Sequence, residues 1–260
     1  MAAKPHKEAS APTRVLVLLD QPYLAELIKL TLNHGVYVAR DAPHVSGALA
    51  LMKDWTPEVM VLDMDSGGND LLARMGMANA TTEAHVPVLA LTRRGDLKSK
   101  LAAFDQGVDD IMVIPFSPEE LLARVLAMTR RAYGRVPQLT PVLKIGEIEI
   151  DILNRTVTAG GHELHLTGLE QSLLYLLAAN PGRVVTRWEI IDALWGTDHV
   201  AGSNIVDRHI RNLRAKLQND WHRPRFITTV SGRGYRWDPT FTGQETEPPP
   251  LQHAPQARNN

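Results

Sequence analysis

Five short apolar runs punctuate the first half of the chain: RVLVLL (14–19), VYVAR (36–40), EVMVLD (58–63), VPVLAL (86–91) and DIMVI (110–114). Between them apolar residues recur at helical spacing, as with Leu24, Leu27, Ile28 and Leu32, in a helix that Gly35 is expected to cap. Ser117-Pro118-Glu119-Glu120 has the form of a capping box with proline in the first turn, and it predicts the last helix of the series. Near-continuous apolar strands alternating with amphipathic helices predict a doubly wound, five-stranded parallel sheet with helices on both faces. In such sheets the reactive groups lie beyond the carboxyl ends of the strands, where Asp20, Asp63 and Thr92 fall.

After AYGRVPQLTP (132–141), read as a linker, the period changes. Residues 142–166 give brief strands with turn signals at Asn154 and Gly160-Gly161. Three helices follow, one capped by Thr167 with Glu170, one by Thr186 with Glu189, and one opening near Ser203-Asn204. RFITTVSGRGYRW (225–237) then reads as a strand, a glycine turn and a strand. The pattern divides the chain into an α/β domain at 13–131 and an α+β domain at 142–238. Disordered ends are expected at 1–12 and 239–260, the latter containing EPPPLQHAP.

A length of 260 residues accommodates two domains, each expected to have its own core. With 44% hydrophobic and 22% charged residues the composition is that of a soluble globular protein. No apolar run approaches the roughly 18 residues of a membrane helix, and the first residues lack the apolar centre of a signal peptide. No membrane partner is therefore expected. The absence of cysteine removes disulfide frameworks and thiolate metal sites and suits a cytoplasmic protein.

The net charge of −1 conceals a local asymmetry, because residues 203–237 hold eight lysines or arginines against two aspartates, a net of +6. In the predicted helix 203–217, Val206, Ile210, Leu213 and Leu217 form one apolar stripe. Asn204, Arg208, Arg211 and Asn212 point the other way, with Arg214 on the flank. A solvated basic helix would account for the composition alone. The following hairpin, with Arg233 between two glycines at its tip, adds a basic wing beside a basic helix and points to duplex DNA.

LHLTGLEQSLLYLLAANPGRVVTRWEIIDALWG, SNIVDRHIRNLRAKL and ITTVSGRGYRW, in that order, resemble the winged-helix effector domain of OmpR/PhoB-type response regulators over about 142–238. The resemblance implies that helix 203–217 enters the major groove of promoter DNA and that the Arg233 hairpin reaches the adjacent minor groove. It assigns base-edge reading to Arg208 and Asn212, the latter suited to adenine, with Asn204 on the same DNA-facing side. Arg211, Arg214 and Thr229 are assigned to phosphates. Ser231 stands where many relatives carry a wing arginine, a post that Arg233 would fill. The loop GTDHVAG (196–202) matches the family's RNA polymerase-contacting loop.

The first domain resembles the receiver of the same family over about 13–131. PEVMVLD places Asp63 at the phosphoacceptor position, Thr92 matches the hydroxyl residue that bonds a phosphoryl group, and Asp70 follows in the expected loop. Three posts differ. Leu19-Asp20 supplies one carboxylate where the family has two, so any Mg²⁺ would be held weakly, by Asp20 and Asp63. Ile114 precedes Pro115 where the family has a lysine, and Ile111 replaces the aromatic switch residue. A hydrogen bond to a charged group contributes about 1.5–3 kcal/mol, and reversing a two-state switch takes about 5.5 kcal/mol. These losses therefore argue against phosphorylation as the normal switch.

The charged set of the family's dimer face survives: Lys100 to pair with Glu120, Asp105 or Asp109 with Arg124, and Asp110 with Arg131, across two subunits. A solvated charged face is the plainer account of such residues. Two readings of function share this architecture: a dimeric DNA-binding regulator independent of phosphorylation, and a phosphorylation-activated one with Asp63 as acceptor. The histidine kinase that would serve the second is not identified by the sequence. A nucleotide-using enzyme is disfavoured, because LLDQPYLAE carries neither G-x-G-x-x-G nor a P-loop. His209 is expected to be structural.

Overall fold

The structure is a computed structural model that describes residues 11–33, 35–78, 85–93, 95–134, 142–196, 204–217 and 226–238. Residues 1–10 and 239–260 of the expected disordered ends, most of the linker, and all of the loop 196–202 except Gly196 lie outside the described residues.

The five apolar runs form β1 (Thr13–Leu18), β2 (Tyr37–Ala42), β3 (Val59–Asp63), β4 (Val88–Thr92) and β5 (Asp110–Val113), all parallel in the order β2-β1-β3-β4-β5. Strands β3 and β4 are buried at every residue, as expected of strands covered on both faces. The helices are α1 (Pro22–Leu32), α2 (Val45–Trp55), α3 (Gly68–Ala78), α4 (Leu97–Asp105) and α5 (Pro118–Tyr133). Two end signals were misplaced by pattern. Asn33, not Gly35, caps α1, donating its backbone N–H to Lys29 O, and Gly35 (φ 95°) turns the chain beyond it. The linker also begins later than expected. Helix α5 continues through Tyr133, whose hydroxyl donates to Glu58 O at 2.8 Å, and Gly134 ends it in the left-handed region.

The second domain opens with an antiparallel sheet of β6 (Val142–Ile145), β7 (Ile148–Asp151), β8 (Thr156–Ala159) and β9 (His162–Glu163). Three helices follow, α6 (Gly168–Ala179), α7 (Arg187–Trp195) and α8 (Ile205–Leu217). A second sheet joins β10 (Val184–Thr186), β12 (Gly234–Trp237) and β11 (Ile227–Val230) in that order. Both predicted capping boxes are complete, at Thr167 with Glu170 and at Thr186 with Glu189. Gly234 is obligatory for the second sheet, since a Cβ there would lie 2.2 Å from Val185 O.

The two domains do not keep separate cores. Helix α1 packs on α6, and one apolar cluster continues from Tyr23, Leu24 and Leu27 into Leu173, Leu176 and Leu177. Polar bonds cross the same boundary. Tyr23 Oη donates to Asp192 Oδ2, Arg93 Nη1 and Nη2 donate to Asp192 Oδ1 and Oδ2 at 2.8 and 3.0 Å, and Asn180 Nδ2 donates to Tyr23 O at 3.3 Å. Burial, reinforced by the Asp192 carboxylate, pushes the Tyr23 hydroxyl pKa far upward, so it stays a donor. Arg155 pairs with Glu119 at 3.7 Å farther along the contact.

Candidate functional site

Two sites emerge, one at the exposed side of α8 and one at the carboxyl end of β3. On α8, Val206, Ile210, Leu213 and Leu217 are buried as the spacing requires, which turns Asn204, Arg208, Arg211 and Asn212 outward. The wing turns at Gly232 (φ 67°), Arg233 N donates to Val230 O at 3.0 Å, and residues 231–233 are exposed. Between helix and wing lies an open hollow of about 940 Å³ lined by Arg187, Asn204, Arg208, Arg211, Thr229 and Tyr235 among others. Asn212 is exposed outside this lining.

Arg214 and Thr229 also bond within the domain. The Arg214 guanidinium donates to Ile227 O at 3.1 and 2.7 Å and to Thr229 Oγ1 at 2.9 Å, and it lies 5.7 Å from the centre of the Tyr235 ring. Burial pushes its pKa down, although an arginine keeps its charge. It therefore staples α8 to the wing with Thr229 as one end of the staple, and both residues also line the open hollow between them.

A second tie runs beside it. Asp207 Oδ1 accepts from Tyr235 Oη at 2.5 Å and from Arg187 Nε at 2.8 Å, and Arg187 sits 5.0 Å from the Tyr235 ring centre. The Tyr235 bond and the Arg187 charge hold the Asp207 carboxyl below the usual range despite partial burial. Sequence reasoning missed Arg187, Asp207 and Tyr235. The available signal was an acid, Asp207, in a stretch otherwise basic. His209 lies 5.7 Å from Trp195, and burial, then the neighbouring Arg208 charge, push its pKa down, which fits the structural role expected of it.

At β3, Asp63 is 1% exposed. Its Oδ1 accepts from Asp65 N at 2.9 Å and its Oδ2 from Ser66 Oγ at 3.0 Å. Burial pushes its pKa up; those two bonds oppose the shift, while the charges of Asp65 and Asp20 add to it. Gly68 makes the turn possible, because a Cβ there would sit 2.7 Å from Asp63 O. Asp65 and Ser66 were not singled out from the sequence.

Thr92 is buried nearby, but its hydroxyl donates to Asp65 Oδ2 at 3.3 Å, and Arg93 N donates to the same oxygen at 2.7 Å. Asp20 is exposed at the end of β1, and Leu19 before it is buried. Ile114 is buried in the core before the cis Pro115. Ile111 is half-buried and lines a hollow of about 360 Å³ together with Asp65, Thr92, Lys100, Ala103 and Gln106. Asp70 lies in the first turn of α3, paired with Arg74 at 2.9 Å. Among the described residues no three histidine, aspartate or glutamate side chains group closely enough to hold a metal ion.

The expected dimer residues are partly engaged within the one chain. Within its own chain Arg124 donates to Asp110 at 2.9 Å and to Glu120 at 2.7 and 2.9 Å. Asp109 accepts from Val88 N at 2.8 Å and faces His85 Nε2 at 2.9 Å, so it caps its own domain's sheet. Glu120 is committed to Arg124, which leaves the Ser117 cap as half of the predicted box: Glu120 N donates to Ser117 Oγ at 3.2 Å. Lys100 faces the hollow beside Asp65, while Asp105 and Arg131 are exposed.

Residues 15–126 match the family described as "Response regulator receiver domain", and residues 161–237 match "Transcriptional regulatory protein, C terminal". The DNA-binding response regulator MtrA of Mycolicibacterium smegmatis is 33% identical over 226 residues, 87% of this chain and 97% of the relative. The chain belongs to the OmpR/PhoB-type DNA-binding response regulators. Two further relatives from Mycobacterium tuberculosis agree. Transcriptional regulatory protein TrcR is 33% identical over 90% of each chain, and KdpE is 32% identical over 87% of this chain and 99% of its own. The crystal structure of DrrB, an OmpR/PhoB homolog from Thermotoga maritima, aligns over 87% of the regulator and 99% of DrrB at 28% identity, with a TM-score of 0.39. The regulator is not an enzyme, and the nucleotide-using alternative is set aside. No described helix is long and apolar enough to cross a membrane.

Proposed function

We propose that this regulator dimerises through its receiver domain, binds promoter DNA through α8 and the wing, and does not depend on phosphorylation of Asp63. Arg208 and Asn212 read base edges with Asn204 on the same DNA-facing side, Arg211, Arg214 and Thr229 hold phosphates, the Arg233 hairpin reaches the adjacent minor groove, and loop 196–202 is offered to RNA polymerase. Lys100, Asp105, Asp110, Glu120, Arg124 and Arg131 contribute to the face that meets a second copy. The observation that carries the phosphorylation reading is Ile114, an apolar side chain buried in the core at the position before Pro115 where the family has a lysine.

Replacing Asp63 with alanine is expected to leave oligomeric state and operator affinity unchanged, by sedimentation and by fluorescence anisotropy. Loss of both overturns the reading. One observation favours the phosphorylation-activated alternative: Asp20 and Asp65 both repel charge on Asp63, a strain that Mg²⁺ held by Asp20 and Asp63 would relieve. Intact mass after incubation with Mg²⁺ and acetyl phosphate separates the two, since an aspartyl-phosphate adduct of about 80 Da establishes the alternative. Such an adduct would also make a cognate histidine kinase a partner.

A further inference from the structure

Asp192 belongs to the DNA-binding domain, yet its carboxylate bonds are made to the receiver. Its side chain has no solvent exposure, and its two oxygens accept from Tyr23 Oη on α1 and from both terminal nitrogens of Arg93. On an undocked domain this α7 side chain would be freed of the receiver atoms that bury it. Docking removes the water and replaces it with three donors from the other domain. A buried charge pair contributes little net attraction after desolvation, but it tolerates only one geometry, because any slip leaves a charge dry and unpaired. Its role is therefore to set the relative position of two domains whose adhesion comes from the apolar α1–α6 contact.

Arg93 faces two ways. Its guanidinium holds Asp192, while its backbone N–H holds Asp65 Oδ2 at 2.7 Å. Asp65 N in turn donates to Asp63 Oδ1 at 2.9 Å. A continuous run of bonds thus joins the receiver pocket to α7 through Asp63, Asp65, Arg93 and Asp192. Thr92 Oγ1 adds a second bond to the Asp65 oxygen, so the loop after β4 is positioned from the pocket side.

We propose that Tyr23, Arg93 and Asp192 form an interdomain lock that fixes the DNA-binding domain against the receiver, and that displacement of the Asp65 carboxylate opens it through Arg93. The recognition side chains Arg208, Arg211 and Asn212 remain exposed while the lock is closed, so the lock governs orientation and not access to DNA. The device does not depend on whether Asp63 is phosphorylated. Any change in the pocket that draws Asp65 away from Arg93 N would serve.

Hydrogen–deuterium exchange of the full-length chain, followed in peptides covering α1 and α6, tests this without reference to DNA. Arg93→Ala and Asp65→Ala should each speed exchange in both helices by about tenfold or more, as expected of a local opening. Asp65 bonds to neither helix, so its effect would reach them through the end of β4 and the loop after it, where Thr92 and Arg93 are bonded to it. The exchanged pair Arg93→Asp with Asp192→Arg should return exchange toward the wild-type rate, whereas each single reversal should not. Wild-type exchange in Arg93→Ala or in Asp65→Ala overturns the proposal. So does unfolding of the DNA-binding domain in Asp192→Asn with exchange unchanged in Arg93→Ala, because the carboxylate would then serve its own domain.

Discussion

The surroundings of Asp63 oppose its ionisation. Burial holds its carboxyl pKa above the ordinary value of 3.8, with Asp65 and Asp20 adding repulsion. A carboxyl raised in the folded state costs stability as pH rises from the unfolded value through the folded one. Asp63→Asn keeps an oxygen for Asp65 N and removes the charge. It should stabilise the chain at pH 7 by on the order of 1 kcal/mol, a gain that thermal melts should show vanishing below about pH 4. At this scale the sequence located Asp63, Thr92 and Ile114 because each ends a strand that reads clearly. It did not locate Asp65 and Ser66, since ordinary loop residues become ligands of Asp63 only once Gly68 closes the turn.

Among elements, what could be read followed sequence distance. The Thr167 and Thr186 boxes were legible because donor and acceptor sit three residues apart, whereas Arg214 looked like any basic residue on a basic helix. Its partners lie 13 and 15 positions away, across the hairpin. Arg214→Ala should therefore lower the unfolding free energy by about 1–3 kcal/mol and weaken binding to every DNA sequence. Arg211→Ala should change stability by under about 0.5 kcal/mol and reduce the salt dependence of binding by about one ion. Denaturant melts and salt titrations on the same two variants would expose a reversed ranking.

The tie between the start of α6 and the end of α8 has its own pH signature. Burial alone would raise the Glu170 carboxyl pKa, but Lys216 Nζ at 2.5 Å and the Thr167 groups outweigh it and hold the pKa below 4.5. A depressed carboxyl contributes stability above its unfolded pKa and loses it as pH falls through the folded value. The difference in urea midpoint between wild type and Glu170→Gln should accordingly be largest at neutral pH. It should close as pH drops below about 4.5, and a constant difference would refute the assignment.

For the whole molecule, the change of hydrophobic period at about residue 140 revealed two domains and their order, but not how they meet. Tyr23 reads as a core aromatic and Asp192 as one more helix acid. Their bond spans 169 residues, and nothing local announces it. Because the apolar cluster runs unbroken from α1 into α6, the two domains should unfold together. Calorimetry should give one peak with equal calorimetric and van't Hoff enthalpies, and two resolved peaks would contradict the shared core.

The ion pair at Asp192 also constrains symmetry. While it is closed, the chain moves as one rigid body from the receiver sheet to the tip of the wing. A twofold axis relating two such bodies relates their recognition helices by the same operation, so the two helices run in opposite senses along the duplex. A closed pair can seat both only on inverted half-sites. Half-sites repeated head to tail demand that at least one protomer part Arg93 from Asp192, so the arrangement of an operator would report the state of a bond buried inside the protein.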